Sequence, residues 1–427
     1  MSKTRSALLW IVILLAFLPV ILLRELTPDN ELRYLTIADE VLRSGHLFAF
    51  TLHGVPYADK PPLYFWLILL SRLAFGRYLA GVLCLFSLVP AVVITHVMER
   101  WTVALSVRDR ITARLMLMSS VYFIGASIVV RMDMLMTLFI VLALHTFWKM
   151  HEGQDRPADK WLFPVYLFLA TFTKGPLGLL IPLVSTAAFL LYERQGRTFF
   201  RYWSWRTWLV LVVGCSLWFT ATFVEGGGSY LSNLLFHQTF GRAYHAFHHQ
   251  RPFYFYFISV WYELAPWSLL IVAVIEEALR RRVRLSPLQQ LMGCTVIATF
   301  VLLSVISAKL PIYLLPVFPF AVFLAMSVLP LFDGSRWLKL TIAIPAFLLG
   351  LALPAIVVAM FFVDSPVLRM VSIGMAAACL SVSGIRTVCL LYVDVSLTRS
   401  LRTLAVGMLA ALFFIGLAMP GLHQFLR

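Results

Sequence analysis

The chain has 427 residues, of which 61 % are hydrophobic and only 13 % are charged. Soluble proteins carry about 25 % charged residues, so this chain has about half of the usual share. A soluble domain cannot bury that much apolar surface, whereas a bilayer can, and no polar stretch leaves room for a sizeable soluble domain. The net charge of +15, which in a soluble protein suggests nucleic acid, is explained here by basic cytoplasmic loops.

Membrane-spanning helices need about 20 mostly apolar residues, and apolar stretches follow one another along the whole chain. Spans are predicted near residues 7–23, 78–97, 111–130, 134–150, 161–173, 176–192, 207–224, 254–275, 288–307, 311–331, 338–362, 366–392 and 401–420. The predicted fold class is therefore all-α: a polytopic membrane helical bundle of about 11–13 transmembrane helices, with amphipathic helices in the outer loops.

The distribution of basic residues predicts which side of the membrane each loop faces. With the N-terminus in the cytoplasm, most of the 35 Lys and Arg residues fall on cytoplasmic segments, including the run at 280–282, while the acidic residues divide evenly. This is the bias expected of cytoplasmic loops. The outer segments, chiefly 24–77 and 225–253, then hold most of the side chains that can perform chemistry.

The first outer loop begins directly after the first span, so Asp29 and Glu31 are predicted at or near the membrane surface. Either one is a candidate base, unless both only solvate the loop and cap the helix that follows. Residues 34–44 have the pattern of an amphipathic helix in the membrane interface, and Gly45 ends it. The predicted apolar face of this helix contains Leu35, Ala38, Val41 and Leu42.

Three further charged residues interrupt apolar runs. Asp133 follows Arg131 closely, and a carboxylate so near to hydrocarbon costs free energy unless it is paired or functional. The sequence therefore predicts that Asp133 either forms a structural ion pair or takes part in the chemistry. Lys174 stands at the outer end of two short helices, where it either meets a phosphate as a point charge or snorkels to the interface. Lys309, followed by Tyr313, lies between two apolar spans at the outer surface.

The outer loop 237–252 is rich in histidine and aromatic residues. Its four histidines lie within thirteen residues and suggest a metal site, without an HExxH motif or a Cys/His ligand spacing. The chain also has no Walker loop, GxSxG, GxGxxG or CxxC motif in a credible context. An outward-facing enzyme without a nucleotide site needs an activated substrate, and a lipid-linked donor would present a phosphate to the outer cations.

Taken in order, these motifs resemble a known family. They are DNELRY at 29–34, YADKPP at 57–62, RMD at 131–133, FTKGP at 172–176, the His/aromatic loop, and AKLPIY at 308–313. The ordered set resembles the C-type (GT-C) membrane glycosyltransferases, which use polyprenyl-phosphate sugars. The most similar branch is that of the lipid A aminoarabinose transferase, whose relatives include protein mannosyltransferases.

The resemblance implies how the chain is organised. Residues 1–330 are expected to form the catalytic transmembrane region with the outer loops 24–77 and 225–253. Residues 331–427 are expected to add C-terminal transmembrane helices, with no soluble domain.

The resemblance also implies roles for particular residues. Catalytic carboxylates are expected at Asp29, Glu31 and Asp133. The family motif reads Asp-Glu-x-Arg-Tyr and its Asp is the base; ungapped, that position falls on Asn30 here, one residue after Asp29, so the predicted base is Asp29 or Asp133. Contacts to the lipid phosphate are expected from Arg33, Tyr34, Lys60, Arg131, Lys174, Arg242, Lys309 and Tyr313. A divalent metal ion would be held by Asp59 and His237.

The predicted reaction is the inverting transfer of a sugar from a polyprenyl phosphate, such as undecaprenyl phosphate, on the outer face of the bacterial inner membrane. The acceptor is lipid A or lipopolysaccharide, another envelope glycan, a lipid or a protein, and neither the acceptor nor the sugar follows from the sequence. The bilayer is an expected partner and nucleic acid is not. The main alternative is a lipid or small-solute transporter or flippase, which should place ionisable residues deep in both halves. A transferase of pyrophosphate-linked glycans is the second alternative.

Overall fold

The computed structural model describes residues 3–236, 250–332, 334–362, 366–367, 370–394 and 396–426. The regular structure of these residues is almost entirely helical, apart from one antiparallel hairpin in which β1 (Thr51–Leu52) pairs with β2 (Val55–Pro56). The predicted all-α fold class is confirmed.

The helices follow one another with short connections. In chain order they are α1 (Lys3–Leu23), α2 (Arg33–Ser44), α3 (Leu63–Phe75), α4 (Ala80–Trp101), α5 (Val107–Ser119), α6 (Val121–Ile128), α7 (Asp133–His151), α8 (Asp159–Lys174), α9 (Leu177–Tyr192), α10 (Phe199–Tyr202), α11 (Trp205–Ser232), α12 (Phe255–Glu263), α13 (Ser268–Arg280), α14 (Pro287–Val305), α15 (Val317–Val328), α16 (Arg336–Gly350), α17 (Ala352–Phe362), α18 (Val371–Tyr392) and α19 (Leu397–Leu426). A π-helical turn at Pro28–Leu32 precedes α2, and a 3-10 turn at Pro311–Leu314 precedes α15.

Many of these helices fit a membrane span. Within the described residues, seven are long and apolar enough to cross a bilayer, and two bent pairs bring the number to nine. Four shorter apolar helices add to these: Ala7–Leu23, Leu63–Phe75, Leu177–Tyr192 and Val317–Phe332. The chain is therefore a multi-pass membrane protein, and the predicted total of 11–13 spans depends on how many of the shorter helices cross.

Two of the predicted spans are broken in the structure. The span predicted at 111–130 divides into α5 and α6 with a bend of 66°, and the span predicted at 254–275 divides into α12 and α13 with a bend of 117°. The two breaks are tied together, because the N–H of Val121 donates to the carbonyl of Ala265 at 3.0 Å. Backbone groups freed inside a membrane need protein partners. Here one break supplies the N–H donor and the other supplies the carbonyl acceptor.

The amphipathic helix predicted over residues 34–44 is α2, and it ends at Gly45 in the left-handed conformation, with φ of 76°. Three residues of its predicted apolar face are buried, namely Leu35, Ala38 and Val41. The prediction for Leu42 is wrong, since that side chain is 42 % exposed. Successive residues of a helix are rotated by about 100°, which turns Leu42 away from the face that Val41 buries.

The chain between α2 and α3 docks on α11 through two side chains. The carboxylate of Glu225 accepts hydrogen bonds from the backbone N–H groups of residues 47–49, at 2.6–3.1 Å. The hydroxyl of Tyr230 accepts from the N–H of Phe50 at 2.9 Å and donates to the carbonyl of Tyr57 at 2.7 Å. These bonds fix the segment that follows Tyr57.

The central helices pack as antiparallel neighbours. Because α7 and α8 form a hairpin, the first residue of α7 and the last residue of α8 meet at the same end of the bundle. The next helix approaches α8 so closely that a Cβ at Gly178 would overlap the backbone of Ala170. The last helix, α19, packs against α1, α5 and α18 and so joins the two ends of the chain.

We expect Gly178→Ala to destabilise the protein, because the added methyl group must push α9 away from α8. Overpacking of this kind costs about 1–3 kcal/mol, which a thermal unfolding experiment in detergent would detect as a lower melting temperature. Gly125→Ala is the matched control, since a Cβ at that helical position meets nothing within 4 Å. Equal melting temperatures for the two variants would contradict the close packing of α8 and α9.

Candidate active site

Many of the predicted site residues surround one cavity of about 210 Å³. It lies where the loop after α1, the segment that precedes α3, the start of α7, the end of α8 and the segment before α15 meet. The residues that line it are Asn30, Arg33, Tyr34, Tyr57, Asp59, Lys60, Arg131, Met132, Asp133, Lys174, Ala308, Leu310 and Tyr313. The structure thus brings together side chains from five segments that are far apart in the sequence.

Asp133 is the most buried charge of the cavity, with 2 % of its side chain exposed. Its Oδ2 lies 3.2 Å from Nε of Arg131, and its Oδ1 accepts a hydrogen bond from Nζ of Lys174. The carboxylate stands at the first residue of α7, where the helix dipole favours negative charge. Both oxygens therefore contact cations, which is the ion pairing that the sequence offered as one alternative for Asp133.

Lys174 is the last residue of α8, at the helix end where a positive charge is favoured. Its side chain is only 5 % exposed, and Nζ lies 4.4 Å from the ring centroid of Tyr313. Lys174 therefore does not snorkel to the surface. The carboxylate of Asp133 and the ring of Tyr313 hold its ammonium group at the cavity.

The segment before α3 adds a carboxylate and a cation from neighbouring positions to the cavity lining. Oδ2 of Asp59 lies 3.4 Å from Nζ of Lys60 and accepts a hydrogen bond from the hydroxyl of Tyr57 at 3.2 Å. Burial raises the pKa of Tyr57 and that of Tyr34 well above the usual range of tyrosine. Both phenols therefore stay protonated at neutral pH and act as neutral hydrogen-bonding groups.

Asn30 is a cavity residue that we did not predict as functional. Its Oδ1 accepts a hydrogen bond from the guanidinium of Arg33 at 2.6 Å. The amide orients Arg33 without neutralising it. Nε of Arg33 is buried and has no hydrogen-bond partner among the described residues. The sequence did carry a signal, because the ungapped resemblance to the GT-C family puts an acidic residue of the family motif at position 30.

Glu31 lies behind the cavity and does not line it. Its Oε2 accepts hydrogen bonds from Arg24 and from the N–H and hydroxyl of Thr27, and its Oε1 accepts from the N–H of Val130 at 2.6 Å. The side chain is fully buried. Both oxygens are thus occupied by donors from two segments, and this position favours an anchor for the loop over the catalytic role predicted for Glu31.

Lys309 also does not line the cavity, although its neighbours Ala308 and Leu310 do. Its Nζ donates to the carbonyls of Arg251 and Ile306, at 3.2 and 2.5 Å. Burial lowers the pKa of Lys309. In this geometry Lys309 ties the chain at residue 251 to the segment before α15, and its predicted contact to phosphate stays a prediction.

Three predicted residues fall outside this description. The side chain of Asp29 and the whole of His237 and Arg242 lie outside the described residues. The described part of the chain does not by itself supply a metal site, because no three His, Cys, Asp or Glu side chains come together in it. Asp59, one of the two predicted ligands, already contacts Lys60 and Tyr57. The metal ion stays a prediction.

Comparison with solved structures identifies the fold. The crystal structure of ArnT from Cupriavidus metallidurans bound to undecaprenyl phosphate matches with a TM-score of 0.78 at 19 % identity, over 99 % of this chain and 79 % of that one. The same protein in the apo state matches with a TM-score of 0.75 at 20 % identity, over 99 % and 78 %. The chain therefore has the fold of this membrane protein.

Sequence comparison finds relatives with related names. Undecaprenyl phosphate-α-4-amino-4-deoxy-L-arabinose arabinosyl transferase of Pseudomonas savastanoi pv. phaseolicola is 26 % identical over 328 residues, which cover 75 % of this chain and 60 % of the relative. The enzyme of that name from Edwardsiella ictaluri is 25 % identical over 310 residues, covering 71 % and 55 %. The chain thus spans little more than half of the length of these relatives. No protein-family model matches it. The resemblance predicted from the motifs is confirmed by these similarities.

We expect Arg24→Met to destabilise the protein strongly, because Glu31 would remain as a buried charge without its cation. Breaking a buried ion pair in this way costs about 3–5 kcal/mol, measurable as the free energy of unfolding in detergent. Adding Glu31→Gln to Arg24→Met should recover part of the loss, since the unpaired charge is then removed.

Lys160→Met is the control for this experiment. The Lys160 side chain is 53 % exposed and lies 3.7 Å from Asp155, so its loss should change stability by about 1 kcal/mol at most. If Arg24→Met is as stable as Lys160→Met, the loop is not anchored by the buried pair.

Proposed function

We propose that this protein is a glycosyltransferase that takes a sugar from an undecaprenyl phosphate carrier and transfers it to an acceptor in the cell envelope. The observation that carries the proposal is the excess of positive charge in the cavity. Four of its lining residues are cationic, namely Arg33, Lys60, Arg131 and Lys174, and two are carboxylates, Asp59 and Asp133, which leaves a formal charge of +2. The similarity to the arabinosyl transferases supports the same reaction class.

The charge of the cavity suits the leaving group better than the donor. A sugar linked to a lipid phosphate is a phosphodiester with one negative charge. Once the bond between the anomeric carbon and the phosphate oxygen breaks, the lipid retains a phosphomonoester, which carries about −1.5 to −2 at pH 7. Cations that are already in place stabilise this developing charge in the transition state more than the charge of the ground state.

Asp133 contributes to this step as a positioning residue. It contacts Arg131 and Lys174 at the same time, and both of these side chains line the cavity. A carboxylate paired with two cations is a weak base. We therefore propose that Asp29, in the loop after the first span, is the base that removes the proton of the acceptor hydroxyl. The hydroxyl oxygen attacks the anomeric carbon and the phosphate leaves from the opposite face. The configuration at the anomeric carbon is therefore inverted.

The membrane arrangement follows from the charge bias of the loops. The proposed topology has the N-terminus in the cytoplasm and the cavity on the extracytoplasmic side of the inner membrane. The small volume of the cavity, about 210 Å³, accommodates only the head of the donor, so the polyprenyl chain must lie outside it, against the membrane-facing helices. The proposed acceptor is lipid A, and other glycans, lipids and proteins remain alternatives for the same assay.

We expect Lys174→Met to reduce turnover by about 10²–10³, the usual loss when one preorganised charge contact to a transition state is removed. The purified protein would be incubated with a panel of polyprenyl-phosphate sugars and an envelope extract, and release of free polyprenyl phosphate followed by mass spectrometry. Lys160→Met removes an exposed lysine and should keep native turnover. Donor lipid that crosses a reconstituted bilayer without any release of polyprenyl phosphate would favour a transporter instead.

The two carboxylates should give different kinetic signatures. We expect Asp29→Asn to lower kcat with little change in the KM for the donor, because a base acts only in the chemical step. Asp133→Asn should raise that KM as well as lower kcat, because Arg131 and Lys174 lose their common partner and bind the donor phosphate less well. The reverse pattern, or native turnover in both variants, would refute this division of roles.

A further inference from the structure

A second cavity, of about 820 Å³, lies between α18 and α19 and is not part of the site described above. The part of this cavity between residues 375–382 of α18 and residues 406–410 of α19 is apolar and open to the surroundings of the bundle. Met375, Val382 and Val406 line it and are 44 %, 66 % and 48 % exposed. Small residues such as Ala378 and Ala410 leave room between them. Both helices are apolar enough to span a bilayer, so this groove faces acyl chains.

The lower end of the same groove is strongly basic. Arg386, Arg399 and Arg402 line it together with a single carboxylate, Asp394, which gives a formal charge of +2. The guanidinium of Arg399 lies 3.7 Å from Asp394, with both side chains largely exposed. Outside the groove lining, Arg402 has two further charged neighbours, the cation Arg108 and the carboxylate Asp109, which offset each other. Such clustered arginines repel one another and favour an anion between them.

The dimensions of the groove match those of one membrane leaflet. From Arg386 to Met375 the helix α18 rises by about 16 Å, at 1.5 Å per residue. Half of the hydrocarbon thickness of a bilayer is about 15 Å. An acyl chain in the apolar part would thus place its headgroup at the level of Arg386, next to the start of α19.

We infer that this groove is a binding site for an anionic phospholipid. The phosphate contacts Arg386 and Arg402, and an acyl chain lies along Val382 and Ala378 between the two helices. Charge complementarity favours an anionic lipid over a zwitterionic one. A zwitterionic headgroup has no net charge and gains little from an excess of positive charge in the groove. Since α19 packs along α1 and α5, a lipid held here strengthens the junction between the two ends of the chain.

The groove lies at the opposite end of the bundle from the catalytic cavity. Arg402 of α19 is a charged neighbour of Arg108 at the start of α5. The pair α5–α6 runs from there to residue 128, which is close in the chain to Arg131 at the cavity. With the topology proposed above, the basic end faces the cytoplasmic leaflet. The site is thus separate from the donor phosphate site, and its test does not depend on transferase activity.

The test measures the thermal stability of the purified protein in detergent during titration with phosphatidylglycerol or phosphatidylcholine. We expect the native protein to bind phosphatidylglycerol about tenfold or more tightly than phosphatidylcholine, as two arginine contacts near a membrane surface would provide. Arg386→Gln/Arg402→Gln should lose this preference. Arg282→Gln/Arg284→Gln, which removes two exposed arginines outside the groove, is the charge-matched control and should keep it.

Ala378→Trp provides an independent variant, because it fills the apolar groove and leaves every arginine in place. This variant should bind phosphatidylglycerol more weakly than the native protein does. The result can be measured even if the double arginine variant fails to fold. The inference is overturned if phosphatidylglycerol binds both groove variants as it binds the native protein. It is also overturned if inorganic phosphate stabilises the native protein as much as phosphatidylglycerol does, since the groove would then bind the anion without the lipid.

Discussion

The contact of Asp133 with Lys174 and Arg131 is the interaction on which the cavity depends. Buried cations are costly, and they remain charged only where a carboxylate offsets the loss of water. The hairpin of α7 and α8 supplies that carboxylate at the start of one helix and the lysine at the end of the other, each at the favoured pole of its helix dipole. The helical geometry and the charge pairing therefore specify the same arrangement, with the ammonium of Lys174 also held against the ring of Tyr313.

The chain between α1 and α3 is held against this centre by two sets of side chains. Near its start, Glu31 joins Arg24 at the end of α1 to the N–H of Val130, just before the start of α7. Further along, Glu225 and Tyr230 of α11 fix the chain around residues 47–57. Because a loop without regular structure cannot satisfy its own backbone groups, these side chains supply the missing partners. They keep the segments that bear Arg33 and Lys60 facing the cavity.

The sequence predicted the helices and many of the cavity residues, because both leave local signals. Apolar periodicity located α2, and a charge within an apolar run drew attention to Asp133 and Lys174. The bends between α5 and α6 and between α12 and α13 were missed, since the bond from Val121 to Ala265 joins segments that are far apart in the chain. The position of Glu31 was missed for the same reason: its partners come from separate elements, and no local pattern reveals them.

The uncharged side chain of Asn30 leaves the positive charge of Arg33 without a counter-charge at that position. A carboxylate beside Arg33 would pair with the guanidinium and cancel its charge, whereas the amide of Asn30 accepts one hydrogen bond and leaves the charge intact. The cavity is therefore more positive by one charge than it would be with a carboxylate at position 30. The extra positive charge suits an anion, and in the proposed transfer it would favour the departing phosphate. An amide cannot act as a base, so the proposed reaction assigns proton removal to Asp29 and not to Asn30.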